Sequence, residues 1–168
     1  MINKFSKVFA IIFTLFISSN ALSQKLDKSF GDWNVLSTQV KSQKVCYIAS
    51  LPITQNGSVK KATNAYFLVS LFPERSPEVS YSPGFDIKVD SQVKIDIDGY
   101  ETLITKVSEQ VVWASNADED SEIILELKKG IKLKVLAPDN NGNYSLDIFS
   151  LKGFTAAYNH MLKLCERK

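Results

Sequence analysis

The stretch SLKGFTAAYNHMLKLC at residues 150–165 determines the structure of the end of the chain. Its apolar residues recur at intervals of three, one, three, one and three: Phe154, Ala157, Tyr158, Met161, Leu162 and Cys165. This spacing places them on one face of a helix. The stretch therefore predicts a C-terminal helix that packs through its apolar stripe on the rest of the domain, with Gly153 at the turn that precedes it.

The chain has two cysteines, Cys46 and Cys165. Cys165 belongs to the apolar stripe, and Cys46 lies in the alternating segment 44–51, which predicts a strand. Outside the cytosol an even number of thiols usually pairs. We therefore predict a disulfide bond that ties the last helix to an early strand. Two buried free thiols or an intermolecular bridge are the alternatives.

Residues 1–23 have the pattern of a secretory signal peptide. Basic residues precede an apolar run at 8–17, and small residues follow at Ala21 and Ser23. A spanning helix needs about 20 apolar residues, so a retained anchor is the less favoured alternative. We expect cleavage after Ser23, or after Ala21, which leaves a single domain at 24–168 without a transmembrane span.

The net charge of +2 comes from the leader, because Lys4 and Lys7 are its only charged residues. The rest of the chain carries 18 basic and 18 acidic side chains. A neutral domain lacks the clustered cations that nucleic-acid binding requires, so no nucleic-acid partner is expected. Basic pairs at 60–61 and 128–129 are interpreted as solvated loop and helix-end charge.

Short β-rich segments separated by turn residues fill the region before the last helix. We predict strands at 33–38, 44–51, 64–72, 79–81, 86–89, 93–97, 100–107, 110–115, 131–136 and 144–151. The polar segment 52–63 predicts a loop, and the almost continuously apolar segment 64–72 predicts a fully buried strand. This pattern is typical of an all-β sandwich or barrel.

Two segments predict particular local structures. Asp98-Gly99 stands between two predicted strands and indicates a type I′ hairpin turn. Acidic residues open the segment 118–130, and basic residues and Gly130 close it, which predicts a short helix near 118–129. The mostly apolar sequence IILEL at 123–127 is also compatible with a strand, which is the alternative.

Two motifs and Cys46 carry a family resemblance. The first motif consists of Phe30, Gly31, Asp32 and Trp33. The second begins with Ser150, Leu151, Lys152, Gly153 and Phe154 and continues to Cys165. With these motifs in this order, and with weaker support from Pro83-Gly84 and from LKKG at 127–130, the chain resembles the invasion-associated locus B family of bacterial exported proteins.

The resemblance implies an immunoglobulin-like β-sandwich with a C-terminal helix, located in the periplasm or at the outer membrane. It implies no agreed enzymatic activity, and the motif residues are expected to be structural. Trp33 is expected to be a core anchor, since a buried tryptophan removes a large apolar area from water. Family members commonly carry a further cysteine near Ser37 and a cysteine pair near 107–113, which this chain lacks.

We predict no catalytic, cofactor-binding or metal-binding residue in this sequence. His160 is the only histidine and falls off the apolar stripe, so it is expected to face solvent. Two acidic clusters could supply a hydrolase with paired carboxylates: Asp96, Asp98 and Glu101, and Asp118, Glu119 and Asp120. Both clusters are interpreted instead as turn and helix-dipole acids.

Three functional hypotheses follow, in order of preference. The first is a non-enzymatic exported interaction domain, periplasmic or attached to the outer membrane, which contacts an envelope or host protein and supports host-cell contact. The second is a periplasmic small-ligand carrier with a pocket near the C-terminal helix, close to Trp33 and Tyr158. The third is a hydrolase that uses the acidic clusters.

Overall fold

In the computed structural model, the described residues 24–165 form two antiparallel sheets and two helices. This confirms the predicted fold class, an all-β sandwich with a short helix and a C-terminal helix. The predicted signal peptide at 1–23 lies outside the described residues, as do residues 166–168. Within the described part of the chain, no helix is long and apolar enough to cross a membrane.

The two sheets combine hairpins of consecutive strands with pairings between strands that are distant in sequence, such as β6 with β10 and β4 with β12. The larger sheet has the spatial order β1 (Lys25–Phe30), β2 (Trp33–Val40), β3 (Gln43–Ser50), β5 (Tyr66–Leu71), β6 (Glu78–Ser82), β10 (Val111–Trp113) and β9 (Lys106–Ser108). The smaller sheet has the order β4 (Thr54–Gly57), β12 (Tyr144–Ser150), β11 (Lys132–Pro138), β7 (Val93–Ile97) and β8 (Tyr100–Ile104). The helices are α1 (Ala117–Lys129) and α2 (Phe154–Leu164).

Alternate residues of both sheets point into one apolar core, as expected for packed antiparallel sheets. Trp33, Phe67 and Phe149 are among its largest fully buried side chains. The rings of Phe67 and Phe149 come from opposite sheets and lie 5.9 Å apart, edge to face. Such aromatic pairs contribute about 0.5–1.5 kcal/mol beyond their buried area.

The predicted helix near 118–129 is confirmed as α1, and the strand alternative is wrong. The Asn116 side chain accepts hydrogen bonds from the backbone N–H groups of Asp118 and Glu119, both at 3.0 Å. Acidic side chains in the first turn and basic ones in the last turn oppose the helix dipole. The helix buries Ile123 and Leu127 against the sandwich.

Helix α2 packs along β1, β2 and β3 and buries the apolar stripe from Phe154 to Met161. Cys46 and Cys165 form a disulfide bond across a Cα–Cα distance of 5.9 Å. The bond joins the core face of β3 to the end of α2, and the described residues contain no free cysteine.

Two strands arise in segments that the sequence pattern did not mark. The segment 52–63 was predicted to be a loop, but β4 within it pairs with β12 at the edge of the smaller sheet. β1 was not predicted, although it pairs with β2 at the edge of the larger sheet. Both strands are almost wholly exposed. Main-chain hydrogen bonds hold them in place, and their sequences therefore lack the apolar pattern of a buried strand.

Other strand predictions need smaller corrections. Residues 86–89 form no strand, and only an isolated bridge joins Ile87 to Asp139. The strand predicted at 100–107 breaks at Thr105, where the chain leaves the smaller sheet and enters the larger one. The strand at 64–72 is buried on one face only, because its residues alternate between buried and partly exposed.

The hairpin between β7 and β8 has the predicted turn. Asp98 and Gly99 both adopt positive φ angles, 47° and 100°. A type I′ turn requires this conformation at both central residues.

Candidate functional site

The FGDW and SLKGF motifs meet at one corner of the sandwich, where β2 begins and β12 passes into α2. Trp33 Nε1 donates a hydrogen bond to the Ser150 carbonyl at 3.0 Å. The backbone N–H of Asp32 donates to the Lys152 carbonyl at 3.0 Å. Ser50 Oγ donates to the Asp32 carbonyl at 2.8 Å. These bonds use main-chain atoms of both motifs, so the contact fixes the two segments against each other.

The two motif glycines allow the segments to approach this closely. Gly153 has a φ of 93°, and a Cβ atom there would lie 2.0 Å from the Phe30 carbonyl oxygen. Gly31 has a φ of 56°, and its Cβ would lie 2.4 Å from the Lys152 carbonyl oxygen. Any side chain at either position would force the backbones apart. The contacts at this corner therefore hold the beginning of the domain against its end.

The ligand gap expected near Trp33 and Tyr158 is filled by protein. Trp33 is completely buried, and its ring packs edge to face on Phe154 at 4.9 Å. Tyr158 is 8% exposed and stacks on the same phenylalanine. A cleft of about 420 Å³ does touch α2, but it lies at the far end of the helix beside Leu164 and Cys165.

His160 has a structural partner. Its Nε2 lies 2.6 Å from an Asp27 carboxylate oxygen, and its ring packs 5.3 Å from the Phe30 ring. The prediction of a solvent-facing histidine is only partly right, because β1 covers one side of the ring. Since β1 has no apolar pattern, this contact could not be predicted from the sequence.

The first acidic cluster holds its own hairpin together. Its carboxylates have separate partners: Asp96 accepts from Lys134 Nζ at 2.9 Å, Asp98 accepts from the Ile131 N–H at 2.5 Å, and Glu101 pairs with Lys94 Nζ at 2.6 Å. The hydrogen bond from Lys134 lowers the pKa of Asp96 below its usual range. Each carboxylate is occupied, so the cluster does not present a free acid–base pair.

The second acidic cluster fixes the start of α1. Glu119 accepts a hydrogen bond from the Ser115 N–H at 2.5 Å. Asp120 is buried and accepts from the Val79 N–H at 2.6 Å, which ties the helix to β6. Burial raises the pKa of the Asp120 carboxyl. Among residues 24–165 there is no group of three or more histidine, cysteine or acidic side chains that could hold a metal ion.

A buried polar network inside the sandwich was missed by the sequence analysis. Asp147 is fully buried on β12 and accepts hydrogen bonds from Lys61 Nζ at 2.6 Å and from the Tyr81 hydroxyl at 2.5 Å. Ser145 Oγ lies 3.3 Å from the same carboxylate. Lys61 is therefore not a solvated loop charge, because its ammonium forms an ion pair with the buried Asp147 carboxylate. Burial raises the pKa of Tyr81, and the neighbouring Asp147 raises it further.

The outer face of the larger sheet carries apolar and aromatic side chains where an antiparallel sandwich usually exposes polar ones. Its main residues are partly exposed: Leu36, Tyr47, Tyr66, Leu68, Phe72 and Trp113. Leu36 lies opposite Tyr47 on the neighbouring strand, and Ala49 lies opposite Leu68. The six side chains form a surface that we call the outer groove.

Three adjoining clefts run along the outer groove. The first, about 480 Å³, lies over β2, β3 and β5. The second, about 210 Å³, lies over β5, β6 and β10, and shares Tyr66 and Leu68 with the first. The third, about 530 Å³, reaches the start of α1 and shares Glu78 and Trp113 with the second. The groove thus crosses the strands as one track.

Two hydroxyl groups in the groove lack a hydrogen-bond partner. Thr38 Oγ1 and the Tyr47 hydroxyl are both inaccessible to solvent, and neither bonds to any residue of the described chain. Burial raises the pKa of Tyr47. An unsatisfied buried hydroxyl costs about 1–3 kcal/mol, so these two groups lower the stability of the isolated domain.

The fold and the groove define a disulfide-tethered β-sandwich domain whose larger sheet has an apolar outer face. The model of the Invasion associated locus B (IalB) protein family matches residues 33–162. The chain belongs to this family.

A solved structure resembles the fold. The crystal structure of invasion associated protein b from Bartonella henselae has a TM-score of 0.57 and 20% sequence identity, and the match covers 83% of this chain and 98% of that one. At this identity the likeness shows the fold alone. No curated protein matches the chain significantly.

Proposed function

We propose that this chain is a non-enzymatic interaction domain of the bacterial envelope, exported to the periplasm or held at the outer membrane. The observation that carries the proposal is the apolar outer face of the larger sheet. Contiguous apolar surface with polar surroundings marks interaction sites in soluble domains. The domain would work by presenting the outer groove as a rigid surface to an envelope or host protein.

Export is supported by the disulfide bond. Cys46 and Cys165 are 119 residues apart in sequence, and bonds of this kind persist in the periplasm and outside the cell. A signal peptide at residues 1–23 would deliver the chain to such a compartment. Support of host-cell contact is the role that the family's name suggests for the domain.

A non-enzymatic role is supported by the way the candidate catalytic groups are used. The two acidic clusters stabilise a hairpin and a helix start, and His160 pairs with Asp27. A hydrolase would need two carboxylates that face a common cleft with room for a sugar or a water. In this domain five carboxylates of the two clusters bind backbone N–H groups or lysines instead.

The test is site-specific photo-crosslinking in intact cells. A photoreactive amino acid replaces Tyr66 in the groove, and a matched variant carries it at Tyr144, which is 52% exposed on the smaller sheet. We expect Tyr66 to give a discrete adduct with an envelope or host protein, and Tyr144 to give none. The same adducts from both positions, or none from several groove positions, would contradict the proposal.

A further inference from the structure

We infer that one end of the sandwich binds the surface of an anionic phospholipid bilayer. The inference rests on the proposed function for the compartment, because an exported domain meets such bilayers in the envelope, but it concerns a surface other than the outer groove. At this end β3 and β12 finish, and β4 and β11 begin. We call it the loop end, and its defining residues are Leu51, Ile53, Ile131, Lys132 and Lys152.

Three large aliphatic side chains are exposed at the loop end. Ile131 is 80% exposed, Leu51 is 59% exposed and Ile53 is 58% exposed. All three lie in connections just outside the strands and do not belong to either sheet face. Each therefore leaves apolar area in water that transfer into the acyl region of a bilayer would remove.

Hydrogen bonds near the end of β12 place these side chains close to one another. The Ile53 N–H donates to the Ile148 carbonyl at 2.7 Å, and the Leu151 N–H donates to the Ile131 carbonyl at 2.9 Å. Because β4 and β11 flank β12, two strand spacings, about 10 Å, lie between Ile53 and Ile131 across the sheet. Leu51 precedes Ile53 by two residues. The three side chains thus form a group at one end of the domain.

Lysines accompany these aliphatic side chains. Lys132 follows Ile131 directly, and Lys152 follows Leu151, which is bonded to Ile131. Both lysines are exposed, and neither pairs with an acid among residues 24–165. A lysine stem can cover apolar surface while its ammonium reaches the lipid phosphates. Cations beside exposed apolar side chains are the combination that an anionic bilayer surface attracts.

The acids at this end are outnumbered. The last turn of α1 adds two more exposed lysines to the end, and the acids there are three in number: Asp32, Asp98 and Glu126. Asp98 accepts hydrogen bonds from the N–H groups of Ile131 and Lys132, at 2.5 and 3.3 Å. Glu126 pairs with Lys129. Two of the three acids are therefore occupied, while Lys132 and Lys152 remain available for phosphate groups.

A bilayer fits the loop end better than a small anion does. The clefts beside α2 and along the outer groove contain none of its defining residues, so they offer a small ligand no cavity at this end. A bilayer needs no cavity, because its interface receives apolar side chains and binds lysines in the same plane. The geometry therefore favours a lipid surface.

The experiment measures co-sedimentation of the purified exported protein with vesicles. One set of vesicles contains phosphatidylglycerol and phosphatidylcholine, and the other contains phosphatidylcholine alone. The variants at the loop end are Ile131→Ser and Lys132→Glu. The matched controls are Val89→Ser and Lys88→Glu at the opposite end of β11, where the Lys88 N–H bonds to the Pro138 carbonyl. Val89 is 73% exposed, and Lys88 is exposed as well.

We expect the wild-type protein to bind the phosphatidylglycerol vesicles and to bind them more weakly as salt is added. Ile131→Ser should weaken binding by at least about fivefold, because it removes buried apolar area. Lys132→Glu should also weaken it by at least about fivefold, because a lysine at an anionic surface contributes about this factor. Val89→Ser and Lys88→Glu should bind like the wild type. Thermal unfolding checks that every variant is folded.

A tryptophan probe reports insertion directly. The emission of Ile131→Trp should shift to shorter wavelength when phosphatidylglycerol vesicles are added, because the indole leaves water. The emission of Val89→Trp should not shift. Trp33 and Trp113 are present in both variants and contribute the same background.

Three results would overturn the inference: no binding to the phosphatidylglycerol vesicles, equal binding to phosphatidylcholine alone, or equal losses in the loop-end variants and their controls. The vesicle assay is separate from crosslinking at the outer groove. If vesicles fail to bind while Tyr66 still gives its discrete adduct, the interaction domain stands and the lipid contact falls. If vesicles bind through the loop end while Tyr66 gives no adduct, the lipid contact stands and the groove partner falls.

Discussion

The two faces of the larger sheet have similar apolar side chains but different surroundings. On the inner face, Phe67 and Tyr81 are fully buried against the smaller sheet, and the Tyr81 hydroxyl bonds to Asp147. On the outer face, Tyr47 is partly exposed and its hydroxyl has no partner among residues 24–165. These inner-face side chains find their packing and hydrogen-bond partners within the chain. The outer face is left partly exposed by the described residues, and it is the face to which we assign the proposed function.

The largest expected effect comes from breaking the inner polar network. Asp147→Ala removes the carboxylate that Lys61 and Tyr81 share, and should lower the free energy of unfolding by about 3–5 kcal/mol. Urea denaturation measures the change. The control is Glu101→Ala, which breaks an exposed ion pair with Lys94 and should cost no more than about 1 kcal/mol. Equal costs for the two variants would show that the inner network is not specially important.

The disulfide bond should give the next largest effect. The double variant Cys46→Ala/Cys165→Ala loses a link between residues 119 apart, and should be less stable by about 2–5 kcal/mol. A reductant should lower the wild-type protein to a similar stability and leave the variant unchanged. If the reductant leaves the stability of the wild-type protein unchanged, the stabilising role of the disulfide bond is contradicted. Crosslinking from Tyr66 should persist in the folded variant, because the outer groove does not depend on the bond.

The smallest expected effect is a pH dependence at Asp120, at the α1 end of the groove. Burial raises the pKa of this carboxyl in the folded state, so the folded protein holds its proton more tightly than the unfolded chain. Its favourable contribution is complete below the unfolded pKa and is lost as the pH rises through the folded pKa. Asp120→Asn keeps an oxygen for the Val79 N–H and cannot ionise.

The stability of Asp120→Asn relative to wild type should therefore increase as the pH rises from about 4 to 7. Urea denaturation at several pH values measures this difference. A relative stability that is constant or decreases over the same range would contradict the assignment.

Periodic burial explains which parts of the fold were predictable. The stripe of α2 and the ordered charges of α1 are local patterns, so the sequence predicted both helices. β1 and β4 are edge strands with exposed side chains, and their pairing depends on main-chain bonds to distant segments. The break at Thr105 likewise depends on the sheet that offers an open edge for pairing. A local sequence pattern does not contain this information.

The buried polar network of the sandwich was unpredictable for a related reason. Lys61 and Asp147 are 86 residues apart in sequence, and nothing local distinguishes them from surface charges. The outer groove did leave a signal, because the segment 64–72 is apolar at both its inward and its outward positions. We interpreted that continuity as burial on both sides. It indicates instead one face buried by the chain and one face left uncovered.

The most direct test compares the same substitution on the two faces of the sheet. Tyr81→Phe removes a hydroxyl that bonds to Asp147 and should lower the free energy of unfolding by about 1–3 kcal/mol. Tyr47→Phe removes a hydroxyl without a described partner, and should leave the stability unchanged or raise it. If Tyr47→Phe destabilises the isolated domain as much as Tyr81→Phe does, the outer hydroxyl is already satisfied within the chain, and the outer face needs no partner.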